Sequence, residues 1–345
     1  MIAHPVHESD CCRRDFLKGS LSCGAYTLLA LAATSTVNQK AFAQTTSSDS
    51  AAKTPFAHVD KISDGVWSVI STPLGGDFTT ISNGGIIAGD DAVLVIEGFQ
   101  TVKGGAWLRE LCKELTGRYP THVALTHYHP DHSNGLAGYF SGDSAPSIIS
   151  TQGTRDLLLA MYGALPLEEE PSGLASVVVG GVAPVVGVPG ILPATLLPDG
   201  GTARLDLGGR IVNLRQYAGH TPSDMTIELE DPHVTWCGDL FFNGMFPNYM
   251  DAVPESLTEN CKAILGDATS TFIPGHGSVA NDTQIKNYLG LLDTVEEAAR
   301  AGLGKGQSPK EIAAAFTLPD SLGQWVLYDP TLYETAFTAW QRALA

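Results

Sequence analysis

Three histidines and one aspartate fall within six residues of this 345-residue chain, in the run THYHPDH at residues 126–132. The run directly follows a short apolar segment, which predicts that it begins where a strand ends. Side chains two residues apart on a strand point the same way, so His127 and His129 can reach one ion. Asp131 and His132 follow at the turn and are free to face a second ion. Imidazole nitrogens and carboxylate oxygens are zinc ligands, and a catalytic zinc keeps one position open for water.

Three more candidate ligands follow, and each comes directly after an apolar segment. The pattern predicts a strand, then a turn, then a ligand, three times over. The alternative is a polar surface loop that carries histidines, but it does not explain the later residues. The three later candidate ligands are His220 in the run GHTP, Asp239 in the run GDL and His276 in the run PGHG.

A His-x-His-x-Asp-His run, followed by a lone His, an Asp and a last His, resembles the pattern of the metallo-β-lactamase superfamily. All seven positions match in order, and the resemblance covers roughly residues 66–277. It implies an α+β fold, a four-layer αββα metallo-β-lactamase sandwich with both ions at one edge of the two sheets. Helical spacing after the last ligand, including Ile285, Leu289 and Leu292, predicts a C-terminal helical extension.

The resemblance also implies a cofactor of two Zn²⁺ per chain and a role for each ligand. His127, His129 and His220 would hold the first ion. The second ion would take Asp131, His132 and His276, and Asp239 would bridge the two. A metal-bound hydroxide would then attack a carbonyl carbon, and Asp131 would orient it and pass its proton to the leaving group.

The small-molecule substrate is less constrained than the chemistry. A β-lactam or lactone ring is the first expectation. Phe242 stands where zinc β-lactamases carry a substrate-gripping lysine, and Asp239 where the commonest of them carry cysteine, so an acyclic ester or thioester is the alternative. A diiron oxidoreductase would typically replace His129 by a carboxylate, and a non-catalytic metal-binding protein would lack a ligand. Glu97 stands where the superfamily usually has aspartate, so support of the site is expected to differ there.

Residues 1–43 read as a twin-arginine signal peptide rather than as part of the fold. Arg13 and Arg14 precede an apolar run at 21–37, and the run AFA at 41–43 offers small residues for cleavage. We therefore expect the twin-arginine export machinery as a partner and a periplasmic location. An uncleaved membrane anchor is the alternative, but the run is short for a span. No stable membrane span is predicted in the mature protein.

Length alone would allow one to three domains, but the ordered spread of the candidate ligands along the chain predicts one main domain. The chain is 43% hydrophobic and carries a formal net charge of −17 with no basic patch, which excludes nucleic acid as a partner. We expect a disordered lead-in at 44–55, a metallo-β-lactamase-fold domain at 56–305 and a helical tail at 306–345. Three cysteines follow the signal, so at least one is free, and Cys237 is interpreted as a small buried side chain.

Two segments could shape the substrate site. In zinc β-lactamases the loop corresponding to residues 72–78 closes over substrate, so the resemblance makes Leu74 and Phe78 candidate substrate contacts. An ordinary loop between strands, the second of them predicted at 79–88, explains the segment equally well. Residues 164–200 combine apolar runs with many prolines and glycines, and they could form a lid, an edge or a subunit contact.

Overall fold

Short strands rich in valine and isoleucine pair into two mixed β-sheets. The computed structural model describes residues 50–72, 77–142, 144–162, 193, 195–197, 200–266 and 270–345. The predicted signal peptide, Leu74 and most of residues 164–200 therefore lie outside the described residues.

Among the described residues, the first sheet has eight strands in chain order. Neighbours are antiparallel from β1 to β5 and parallel from β5 to β8. Its strands are β1 (Ala52–Lys53), β2 (Ala57–Ser63), β3 (Val66–Ser71), β4 (Gly84–Ala88), β5 (Val93–Ile96), β6 (His122–Ala124), β7 (Ser147–Thr151) and β8 (Thr195–Leu197).

In the part of the chain that the structure describes, the second sheet has five strands in the order β13-β12-β11-β10-β9. They are antiparallel except for the parallel pair of β12 and β13. That pair brings the ends of two ligand-bearing strands to the same edge of the sheet. The strands are β9 (Thr202–Asp206), β10 (Ile211–Tyr217), β11 (Asp224–Glu230), β12 (His233–Phe242) and β13 (Thr271–His276).

Seven α-helices are described, together with two short 3₁₀ segments at Asn134–Tyr139 and Asp320–Leu322. None of the helices in the part of the chain that the structure describes is long and apolar enough to cross a membrane. They are α1 (Val102–Thr116), α2 (Pro130–Ser133), α3 (Gln152–Tyr162), α4 (Pro254–Leu265), α5 (Asp282–Leu303), α6 (Pro309–Ala315) and α7 (Leu332–Leu344).

The longest helix, α5, begins and packs as its sequence predicts. Asn281 and Gln284 form a capping box, in which each side chain accepts from the backbone of the other residue and so satisfies N–H groups that the first turn leaves free. Its buried stripe includes Ile285, Leu292 and Val295, at helical spacing.

Three apolar clusters separate four layers. Between the sheets, Leu94 and Ile96 pack with Ile227 and Trp236 of the second sheet. The outer face of the first sheet packs on α1, and that of the second on α4, α5, α6 and α7. The Trp236 indole N–H donates to the Gly84 carbonyl at 2.9 Å, which ties the two sheets together. The predicted αββα sandwich with C-terminal helices is confirmed.

Several boundaries differ from the sequence prediction. Asp239 and His276 lie within β12 and β13, where the pattern predicts turns. Ala52 and Lys53 pair with β2, so ordered structure begins inside the predicted lead-in. Residues 79–83 are not part of β4, although a strand was predicted from 79. The start of α1 holds this segment in place, because the hydroxyl of its N-cap residue, Thr101, donates to the Thr79 carbonyl at 2.9 Å. The tertiary contact with α1 overrides the strand tendency of this segment.

Candidate metal centre

The first four candidate ligands sit on a tight turn at the end of β6. Pro130 opens the single-turn helix α2, where its fixed φ suits the first position. Ser133 Oγ donates to the carbonyls of Tyr128 at 3.1 Å and His129 at 2.9 Å, which holds the turn closed. The sequence therefore turns from strand to helix within five residues and presents His127 and His129 on one side, with Asp131 on the other.

The second sheet supplies two further candidates through a local irregularity. The register of β12 against β13 shifts at Gly238, which has a φ of +52° that favours glycine. Gly275 of β13 lies so close that a Cβ there would meet Asp239 Oδ1. The register shift at Gly238 and the lack of a side chain on Gly275 leave space for the Asp239 carboxylate beside His276.

One group of candidates converges on a single point. His127 Nε2 lies 3.0 Å from His129 Nδ1, and His220 Nε2 lies 2.9 Å from the same atom. Asp239 Oδ2 completes the group at 3.3 Å from His220 Nε2 and 3.9 Å from His127 Nε2. All four side chains are buried.

A second group lies on the other side of Asp239. Its Oδ1 atom is 3.2 Å from His132 Nε2 and 3.4 Å from His276 Nε2. Asp131 Oδ2 is 3.2 Å from His276 Nε2 and 3.6 Å from His132 Nε2. The two carboxylate oxygens of Asp239 thus face different groups, which is the geometry of a bridging ligand.

The nitrogens that face away from the groups are held by oxygens. His129 Nε2 lies 3.1 Å from Asp251 Oδ2, and His220 Nδ1 lies 3.0 Å from the Asn248 carbonyl. An oxygen acceptor fixes the proton on the outer nitrogen and leaves the inner nitrogen with a lone pair for a metal. The first group therefore presents the lone pairs of His129 and His220 to its centre.

Glu97 performs the same function for two imidazoles. Its Oε1 atom lies 3.0 Å from His132 Nδ1 and accepts from the Thr126 hydroxyl at 2.5 Å. That hydroxyl in turn lies 3.0 Å from His127 Nδ1. Glu97 is a non-glycine residue with a φ of +77°. A rarely adopted backbone conformation is thus retained where the side chain supports the site.

The electrostatics of the two groups differ. Burial, followed by the neighbouring imidazoles, holds the pKa of His127 well below its usual value, and burial lowers the pKa of His220 to about 4. Burial opposes charge on His276 too, but Asp239 and Asp131 outweigh it and raise its pKa to about 9. Burial likewise acts against charge on Asp131, yet His132 and His276 lower its pKa to about 2.

The residues fit metal ions. His132 Nε2 and Asp239 Oδ1 are buried and make no hydrogen bond, although they lie 3.2 Å apart. Buried polar atoms without partners cost free energy, and a cation between them removes that cost. The two His and Asp groups together fit a dinuclear metal site.

A small cavity opens onto both groups. Phe78 is half-buried and is not among the residues that line it, and Leu74 lies outside the described residues. Contact of either residue with substrate remains a prediction. The lining consists of His129, Asp131, Asp239, Phe242, Met245, Asn248, His276 and Tyr328.

Sequence reasoning missed four residues of the site, one of which is Asn248, whose carbonyl lies 3.0 Å from His220 Nδ1. Asp251 follows no apolar strand and Tyr328 lies 52 positions beyond His276, so no spacing links either of them to the ligand run. Met245 reads in the sequence as an ordinary apolar residue. Only the tertiary packing of the loop after β12 and of the C-terminal segment brings Met245 and Tyr328 to the cavity and Asp251 to His129.

Fold and site together define a protein with a candidate dinuclear metal centre at the edge of two sheets. A sequence model described as the metallo-beta-lactamase superfamily matches residues 79–276, and the chain belongs to that family. No curated protein matches the chain.

Solved structures with the same fold share little sequence with this chain. The stereoselective inverting sec-alkylsulfatase Pisa1 from Pseudomonas sp. superposes with a TM-score of 0.63 at 17% identity, over 84% of this chain and 50% of its own. The chain thus spans about half the length of that protein. A metallo-beta-lactamase from Pontibacter korlensis gives a TM-score of 0.51 at 17% identity, over 69% of this chain and 99% of its own.

Proposed function

We propose that the protein is a dinuclear zinc hydrolase that opens a β-lactam or lactone ring. The observation that carries the proposal is Asp239, whose two oxygens face two separate groups of buried nitrogen and oxygen donors. Five imidazoles and two carboxylates without cysteine suit zinc, and His129 is not replaced by the carboxylate expected of a diiron enzyme.

The seven candidate ligands have distinct roles in this proposal. His127, His129 and His220 would hold one ion, Asp131, His132 and His276 the other, and Asp239 would bridge them. Such ions, when bound, lower the pKa of a coordinated water to about 7 and polarise an electrophilic group. Asp131 is ionised at neutral pH, because its pKa is lowered to about 2. Its Oδ2 atom faces His276, which leaves Oδ1 to take a proton from the attacking water and pass it to the leaving group.

A sulfate ester is the second candidate substrate. The structure of the alkylsulfatase covers 84% of this chain, whereas that of the lactamase from Pontibacter korlensis covers 69%. A sulfuryl group is electrophilic, as a carbonyl is, and the same donors could serve either. An acyclic ester or thioester remains the third possibility within the same chemistry.

Elemental analysis with hydrolysis assays tests the proposal. We expect close to two zinc ions per chain and turnover of a chromogenic cephalosporin or a lactone. An alkyl sulfate and a thioester run in parallel decide between the candidates. His129→Ala and Asp239→Ala should abolish turnover, while His233→Ala, an exposed histidine outside both groups, should retain it. Iron, or a folded protein without metal and without turnover, contradicts the proposal.

Export to the periplasm through the twin-arginine route is part of the same proposal. It is supported by Arg13, Arg14 and the apolar run that follows them in the sequence. Replacing both arginines by lysine should leave the precursor in the cytoplasm. Fractionation of cells that express the full chain measures this, and export of the double variant at the original level contradicts the route.

A further inference from the structure

The cavity at the metal centre has one apolar side. Phe242, Met245 and Tyr328 line it together with the carboxylates of Asp131 and Asp239, and none of the three is more than 6% exposed. The Phe242 ring stacks on the His276 imidazole with centroids 5.3 Å apart and meets the His220 ring at 5.7 Å. No lysine or arginine is among the described residues that line the cavity.

The C-terminal segment fixes this apolar side in place. The Val326 amide donates to the Gly244 carbonyl at 3.0 Å, and the Phe246 amide donates to the Val326 carbonyl at 3.0 Å. Val326 thus pairs with the loop that carries Met245, and Tyr328 follows two residues later. Beyond it, Asp329 accepts from the Thr331 hydroxyl at 2.6 Å and from the Thr331 amide at 2.7 Å, which leads the chain into α7. Two backbone hydrogen bonds therefore join the loop that carries Met245 to the segment that carries Tyr328.

We propose that Phe242, Met245 and Tyr328 form a selective wall that accepts an uncharged, apolar group of the substrate and rejects a carboxylate. The inference rests on the proposed function and narrows its substrate class to neutral lactones and esters with an apolar substituent. An ionised group pressed against this wall would lose water without gaining a cationic partner, which is costly. An apolar group of the same shape would instead gain from leaving water.

Binding of two matched thiols tests the wall without turnover. Benzyl mercaptan and 4-(mercaptomethyl)benzoate present the same sulfur to the metals and differ only in a carboxylate at the far end. Binding to the cobalt-substituted full chain is followed by the change in visible absorption. We expect the neutral thiol to bind at least about tenfold more tightly. Equal affinities, or tighter binding of the carboxylate, overturn the inference.

Variants locate the effect on the wall. Phe242→Lys should reduce the preference for the neutral thiol by about tenfold, because it provides a cation for the carboxylate. Phe242→Leu removes the ring but adds no charge, so the preference should survive. Met245→Lys repeats the test from a second position, and melting curves show which variant is folded. An unchanged preference in a folded lysine variant contradicts the wall.

The same samples separate this inference from the proposed function. If the protein retains two metal ions and hydrolyses a ring or ester but binds both thiols equally, only the wall fails. If it retains no metal, the hydrolase proposal fails and the wall fails with it. Steady-state assays on a neutral lactone and its carboxylated analogue should show the same preference in kcat/KM.

Discussion

Asp251 is the residue whose importance is least apparent from the sequence. One of its carboxylate oxygens accepts from the Tyr128 hydroxyl at 2.7 Å and lies 3.1 Å from His129 Nε2. Its interaction with His129 and Tyr128 keeps its own pKa below the usual value despite burial. An ionised carboxylate at this place orients the imidazole and raises its basicity toward a metal.

We predict that Asp251→Ala weakens binding of the first metal ion by about 10- to 100-fold, because His129 loses its outer acceptor. Competition against a chromophoric chelator measures the affinity. Tyr128→Phe is the matched control, since it removes the hydroxyl that shares the same carboxylate oxygen but leaves the imidazole contact. If both variants hold the metal like the wild type, Asp251 does not support the site.

The two donor groups should respond differently to pH. In the metal-free protein the pKa of His220 is about 4, so it is already neutral at pH 7 and can bind metal directly. The pKa of His276 is about 9 and that of His132 is raised as well, because carboxylates surround both. Both must lose a proton before they can bind.

We therefore predict that the affinity for the second ion rises as pH increases from about 7 to about 9, while the affinity for the first changes little. Stepwise zinc titration by calorimetry, in buffers of different ionisation enthalpy, counts the protons released at each step. Proton release confined to the first step, or absent from both, contradicts the assignment of the two groups.

At the scale of elements, the close approach of β12 and β13 limits what can be changed. A Cβ on Gly275 would contact Asp239 Oδ1 and lie 2.7 Å from the Gly238 carbonyl carbon. We predict that Gly275→Ala displaces the Asp239 carboxylate, with loss of one metal equivalent and destabilisation of about 1–3 kcal/mol. Elemental analysis and thermal unfolding measure the two effects.

Asn281→Ala is the control for that substitution. It removes the N-cap of α5 and should destabilise by about 1 kcal/mol without affecting the metal content. If Gly275→Ala lowers stability but keeps both metal ions, Asp239 tolerates a shift and the tight approach serves packing alone.

The pattern of elements could be predicted where local signals suffice. The caps at Asn281 and Ser308 identify the starts of two helices, and the turn before His220 identifies the end of a strand. The turns predicted at Asp239 and His276 are wrong, because β12 and β13 include these residues. The wall could not be predicted in the same way. Met245 and Tyr328 meet only because Val326 pairs with the loop after β12, and such pairing across 80 residues has no local signature.

At the scale of the molecule, the site is assembled from both sheets. Asn83, which directly precedes β4 of the first sheet, ties that sheet to β13 of the second. Its backbone amide donates to the Gly275 carbonyl at 2.8 Å, and its side-chain amide donates to the Pro274 carbonyl at 2.8 Å. An unfolded chain cannot bring the seven donors together, so metal binds the folded state alone and stabilises it.

We predict that chelation lowers the melting temperature, with a loss of about 4 kcal/mol where free zinc had been about a thousandfold above its dissociation constant. Differential scanning calorimetry with and without chelator measures the shift. Asp239→Ala should melt at the same temperature in both conditions, because its bridge is gone. A wild-type protein indifferent to chelator would show that the site contributes nothing to stability.

Three cysteines lie in the described part of the chain, and all are buried and unpaired. Burial raises the pKa of Cys112 to about 12, and burial also raises those of Cys237 and Cys261. A buried thiol that stays protonated reacts slowly with oxidants and with other disulfides. The stability of the fold should therefore not depend on the redox potential of its surroundings. The protein can fold in a reducing compartment and stay folded in an oxidising one.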